Sequence, residues 1–132
     1  MNKTIISTVL GAVILLSFCS ACTPKSKTVE LTIKDQDTEI ALEKGDLIKV
    51  SLEGNPTTGY QWEFVSADAP FLTQKGDPEY KADSDLIGSG GVSTFTFEAT
   101  DTGSGKLHLI YHRSFEPNVA PAKEFSASIQ VK

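Results

Sequence analysis

Leu107-His108-Leu109-Ile110-Tyr111-His112 is the stretch whose reading decides the architecture. Leu107, Leu109 and Tyr111 alternate with His108, Ile110 and His112. A period of two places successive side chains on opposite faces, so this is a β-strand with one face in a core. Working outward, the same alternation recurs in Phe125, Ala127, Ile129 and Val131, in Phe95, Phe97 and Ala99, and in Ile48, Val50 and Leu52. Further strands are predicted over Val29 to Lys34, Glu39 to Leu42, Tyr60 to Val65 and Glu79 to Ala82. Turn-forming residues separate these runs: Lys44-Gly45-Asp46, Gly54-Asn55-Pro56, Lys75-Gly76-Asp77-Pro78, Gly88 to Gly91 and Gly103-Ser104-Gly105. No window sustains a period of 3.6 residues, so helix content is expected to be low. Seven or eight short strands at this spacing predict an all-β fold, an immunoglobulin-like antiparallel β-sandwich.

At 132 residues the chain is long enough for one core. A net charge of −5 and a pI near 4.9 argue against nucleic acid as a partner, because phosphate binding needs clustered Lys and Arg. The apolar residues are unevenly placed. Thr4 to Thr23 holds no charge, and Lys3 alone precedes it. Residues 1–21 read as a signal peptide with a basic start, an apolar stretch from Ile5 to Leu16 and mostly small residues before a cleavage site. Cys19-Ser20-Ala21-Cys22 resembles a bacterial lipobox, with Cys19 where that pattern usually has Leu. The resemblance implies lipid on Cys22 and an exported protein anchored at the bacterial cell membrane or outer membrane.

Three other readings of the same run stand beside it: an uncleaved membrane span, ordinary secretion with cleavage near Ala21, and a redox or metal Cys-x-x-Cys. Residues 22–28 then form the lipidated Cys and a short polar tether, and residues 29–132 the sandwich. Processing removes Lys3, which makes the acidic excess one larger. Both thiols go with targeting, so the domain is expected to hold no disulfide and no Cys nucleophile.

Enzymatic chemistry is poorly supplied. His108 and His112 lie four apart on one strand face, so their Cα atoms stand about 13 Å apart and cannot grip one metal unaided. His112 and Ser114 neighbour each other without an acid to orient the imidazole, and Asp83 and Asp85 read as a solvated pair in a loop. No catalytic residue, metal ligand or cofactor is assigned. The expectation is a monomeric binding protein rather than an enzyme.

Three loops carry more information. In Asn55-Pro56-Thr57-Thr58-Gly59-Tyr60, Asn then Pro suits the first two positions of a type I turn, and Gly59 supplies a positive φ. Gly88-Ser89-Gly90-Gly91 offers backbone unshielded by side chains. Arg113-Ser114-Phe115 puts the only arginine of the chain beside an aromatic, a pair common at binding hot spots.

Together, Asn-Pro-Thr-Thr-Gly-Tyr, a Gly-rich loop preceded by Leu86-Ile87, and Arg-x-aromatic after a Leu-x-Tyr strand resemble the chagasin family of inhibitors of papain-like cysteine proteases. The resemblance runs over Val29 to Lys132. It departs at Ser114 and Phe115, where the family usually has Pro and Trp. It implies three loops clustered at one end as a wedge for the protease cleft. Thr57 would lie nearest the catalytic Cys and His of the enzyme, Gly88 to Gly91 along the substrate groove, and Arg113 and Phe115 on the opposite side. A different class remains open at this point: a surface adhesion or assembly module with the same sandwich.

Overall fold

A computed structural model describes residue 23 and residues 25–132; the expected signal peptide and the expected lipidation site, Cys22, lie outside the described residues. Among the described residues nine strands build two sheets. One holds β1 (Thr28–Thr32), β3 (Leu47–Gly54), β7 (Gly91–Ala99), β5 (Leu72–Gln74) and β6 (Glu79–Ala82), the last two both pairing with β7. The other runs β2 (Glu39–Leu42), β9 (Lys123–Val131), β8 (Gly103–His112), β4 (Gln61–Phe64). The expected sandwich is present, with one strand more than the alternation predicts. That strand, β5, is three residues long and only Leu72 in it is buried, which is too short for a period to show.

The pairing is antiparallel apart from two edge ladders, β1 with β3 and β2 with β9, which are parallel. The cause is local. Thr32 caps a single 3-10 turn, Ile33–Asp35, accepting from Lys34 N while Asp35 accepts from Thr32 N. The chain thereby leaves the first sheet and enters the second as β2, so consecutive strands form edges of opposite sheets. Ile33 and Lys34, expected as strand, belong to this turn.

Every inward position named from the alternation is buried: Ile48, Val50 and Leu52, Phe95, Phe97 and Ala99, Leu107, Leu109 and Tyr111, Phe125, Ala127, Ile129 and Val131. Phe64 packs on Phe97 with ring centroids 4.6 Å apart. Two expectations about glycine are corrected. Gly103-Ser104-Gly105 opens strand β8 instead of separating strands. A Cβ on Gly105 would collide with the Asp68 carbonyl, and one on Gly103 would meet the Phe71 ring at 2.9 Å, so these glycines permit close packing within a strand. Gly91 is the first residue of β7 and buried, not part of a loop.

At the opposite end from the three candidate loops, Asp46 is buried and fastens the chain. Its carboxylate accepts from Lys27 N at 2.8 Å and from Glu43 N at 2.9 Å. The bond from Glu43 and then that from Lys27 hold the carboxyl below the usual range, against the opposing effect of burial. A depressed pKa means the charged form favours the folded state. This stabilisation is therefore present at neutral pH and is lost as pH falls below about 4, through the folded value. Asp46→Asn is expected to melt below the parent at pH 7, by about 1 kcal/mol of stability. The gap between the two melting temperatures should begin to close as pH falls below about 4; a gap that stays constant down to the lowest pH at which the parent still folds would refute the assignment.

Candidate functional site

The register sets the loops side by side. Gly54 at the end of β3 faces Gly91 at the start of β7, Gly91 also faces Ala82 of β6, and Gln61 of β4 faces His112 of β8. The β3–β4, β6–β7 and β8–β9 connections therefore emerge at one pole.

Asn55 organises the first loop. Its Oδ1 accepts from Thr57 N at 3.1 Å and from Thr57 Oγ1 at 2.5 Å, capping a single 3-10 turn over Pro56–Thr58. Pro56 suits the first position of that turn because its missing N–H has no partner there. Thr58 Oγ1 donates to Asn55 O at 2.6 Å, and Gly59, with φ +82°, donates to Pro56 O at 3.0 Å and ends the turn. Pro56, Thr57 and Thr58 are exposed at the crest.

The same asparagine reaches the second loop, donating from Nδ2 to Gly88 O at 2.9 Å. That loop closes on itself. Asp83 N donates to Gly90 O at 2.9 Å, Ser89 Oγ to Ser84 O at 2.9 Å, and Ser89 N to Leu86 O at 3.2 Å. Gly88 takes φ +82°. The turn drives Leu86 and Ile87 outward, leaving Ile87 fully exposed and Leu86 76% exposed. In the sequence these two stand only as flanks of the glycines. Their signal is an apolar pair within Asp83-Ser84-Asp85 and Gly88-Ser89-Gly90, where a solvated loop has no use for them.

Arg113 joins the third loop to the first. Its Nε donates to Thr58 O at 3.2 Å, its guanidinium stacks over Tyr60 at 4.4 Å, and Nη1 lies 3.5 Å from Glu116 Oε2. Phe115 is 68% exposed, yet one edge of its ring rests on Gly59, where an added Cβ would meet it at 3.1 Å. Ser114 is exposed and Tyr60 half-buried. Beneath them stands Tyr111. Its ring packs against Tyr60 at 5.3 Å and Trp62 at 5.1 Å, and its hydroxyl accepts from Asn55 N at 2.8 Å.

All three predicted loops thus meet, tied by Asn55 and Arg113 and propped by Tyr111, with Gly91 as their base. The two histidines serve elsewhere: His108 Nδ1 is 2.7 Å from Asp68 Oδ2 and His112 Nε2 is 2.6 Å from Glu63 Oε2, on the outer face of the second sheet. What the pole presents to solvent is a ridge of hydrogen-bonded backbone with hydroxyls at the centre and apolar side chains on both flanks.

Comparison with known proteins agrees with this fold. Residues 41–129 match the family model described as Chagasin family peptidase inhibitor I42. Amoebiasin-1 of Entamoeba histolytica is 35% identical over 107 residues, covering 79% of this chain and all of that protein. The crystal structure of the cysteine protease inhibitor EhICP2, also from Entamoeba histolytica, superposes with a TM-score of 0.69 at 24% identity, covering 83% of this chain and 99% of that one. A structure of PbICP-C in complex with falcipain-2 shares the fold with a TM-score of 0.50 at 17% identity, over 82% of this chain and 93% of that one.

Proposed function

Since this chain belongs to the chagasin family of peptidase inhibitors, and is an inhibitor of cysteine proteases rather than an enzyme, we propose that its three-loop pole plugs the cleft of a papain-like protease from a lipid anchor at Cys22. The observation that carries the reading is the side chain of Asn55, which binds its own turn and the Gly88 carbonyl at once and so makes one wedge of two loops. A preformed wedge loses little entropy on docking, and an interface of about 800 Å² per partner is then enough for tight binding. Thr57 on the crest approaches the catalytic Cys and His. Leu86, Ile87 and the backbone of Gly88 to Gly90 line one side of the cleft, and Arg113, Ser114 and Phe115 the other. The chain over Pro56–Thr58 is a 3-10 turn, so no extended peptide bond is offered to the enzyme and the inhibitor survives.

The molecule acts as a monomer, exported and held at the bacterial cell membrane or outer membrane by acyl chains on Cys22. Each buried methylene contributes about 0.8 kcal/mol, so two or three chains anchor it durably. One preparation tests both parts. The wild-type chain is expected to incorporate labelled palmitate and to follow the membrane fraction, and Cys22→Ser to do neither. Soluble Cys22→Ser protein titrated into papain is expected to abolish hydrolysis near equimolar ratio. Papain left fully active at micromolar inhibitor would sink the inhibitory reading, whatever the fate of the palmitate.

A further inference from the structure

The ties that Asn55 and Arg113 make between loops lie at the surface, whereas Tyr111 acts from below. It is the last inward residue of β8 and only 7% exposed, so a partner docked on the crest does not reach it. Both ends of the first loop rest on its side chain. Where that loop leaves β3, the ring lies so close to Gly54 that an added Cβ would meet Tyr111 Cε2 at 3.0 Å, and the hydroxyl accepts from Asn55 N at 2.8 Å. Where the loop rejoins β4, Tyr60 stacks on the same ring with centroids 5.3 Å apart. The third loop closes on it too. That loop departs two residues after Tyr111 and returns through Ala122, whose N donates to Tyr111 O at 2.8 Å, after which Lys123 sets its ammonium 5.5 Å from the centre of the ring.

We propose that Tyr111 is a positioning residue for inhibition, which sets the height of the Thr57 crest against the Phe115 flank so that the first and third loops grip the protease as one surface. The inference rests on the three-loop wedge proposed above. The contacts run without a break from one loop to the other. Asn55 N sits on the Tyr111 hydroxyl, Tyr60 on its ring, and the Arg113 guanidinium over Tyr60 at 4.4 Å and 5.9 Å from the centre of the Phe115 ring. Groups that share one partner are energetically coupled, so a shift of the first loop is felt where Phe115 stands. The hydroxyl is the sensitive point. Its removal leaves the half-buried Asn55 N–H without that acceptor, while the ring can keep its packing on Gly54, Tyr60 and Trp62.

The test titrates papain with the soluble Cys22→Ser protein in four versions: the parent, Tyr111→Phe, Phe115→Ala and the two changes together. Tyr111→Phe is expected to raise the inhibition constant about tenfold and to speed hydrogen exchange at the Asn55 amide, with the melting temperature lower by only a few degrees. Ile129→Val, a core change in β9 away from the loops, controls for stability alone. It should lower the melting temperature by a similar amount and leave inhibition unchanged. Phe115→Ala should weaken inhibition by a smaller factor in the Tyr111→Phe background than in the parent, because a displaced crest already keeps that flank from full contact. Inhibition by Tyr111→Phe that matches the parent, or falls no further than that of Ile129→Val, overturns the positioning role. Losses that simply multiply in the double variant overturn the coupling between the loops. Papain left fully active by the parent at micromolar concentration overturns the wedge itself, and this inference with it.

Discussion

Asn55→Ala is expected to weaken inhibition of papain by about tenfold to a hundredfold while leaving the sandwich folded. The side chain makes three hydrogen bonds, two within its own turn and one to Gly88 O. Loss of the cap costs about 1 kcal/mol and loss of the inter-loop bond about another. Both fall on the bound geometry, since the loops must then be ordered during docking, and each 1.4 kcal/mol is about a factor of ten in affinity. The core lies beneath and is untouched, so the melting temperature should move by only a few degrees. Asn55→Asp separates the two roles. It keeps an oxygen for Thr57 but loses the donor to Gly88 O and places a charge against that carbonyl. Inhibition by Asn55→Asp that matches the parent would show that the tie between loops contributes nothing, and the rigid-wedge account would fall.

The parts of this molecule legible in the sequence are those in which a residue's role depends on its immediate neighbours. Leu107, Leu109 and Tyr111 announce a strand because alternation is a property of six consecutive residues, and all three are buried. Asn55-Pro56 and Gly59 announce a turn for the same reason, and the structure supplies the cap and the positive φ. The motif could not disclose that Asn55 also holds Gly88, because that bond joins residues 33 positions apart and exists only once β3 and β7 are in register. Arg113 shows a similar gap. Its place beside Phe115 marks a hot-spot pair in the sequence, but does not disclose that its guanidinium also meets Thr58 O, Tyr60 and Glu116. Its guanidinium also lies 5.9 Å from the centroid of the Phe115 ring.

The glycines give the sharpest case of a role hidden from sequence, and it leads to the second large effect. In Gly88-Ser89-Gly90-Gly91 all three glycines read alike, as bare backbone for a partner to approach. In the fold they differ. Gly88 has φ +82° and open space around it, and Gly90 has its nearest neighbour, Gly54 O, at 3.4 Å from an added Cβ. Gly91 has none to spare: an added Cβ would collide with Lys81 O and lie 2.7 Å from Tyr80 Oη, both on the adjacent strand β6.

Backbone cannot step aside as a flexible side chain can, so Gly91→Ala must open the β6–β7 ladder at the foot of the second loop. Overpacking of this kind costs about 1–3 kcal/mol, which in a domain of this size lowers the melting temperature by about 4–8 °C per kcal/mol. The loop it carries should lose register with Asn55, and inhibition should fall as well. Gly88→Ala should cost about 1–2 kcal/mol of backbone strain confined to the loop tip, and Gly90→Ala less than about 0.5 kcal/mol. The expected order of melting temperatures is therefore Gly90→Ala highest, Gly88→Ala between, and Gly91→Ala lowest. Were Gly91→Ala to melt with the parent while inhibition vanished, Gly91 would be a contact for the protease and not the footing of the loop.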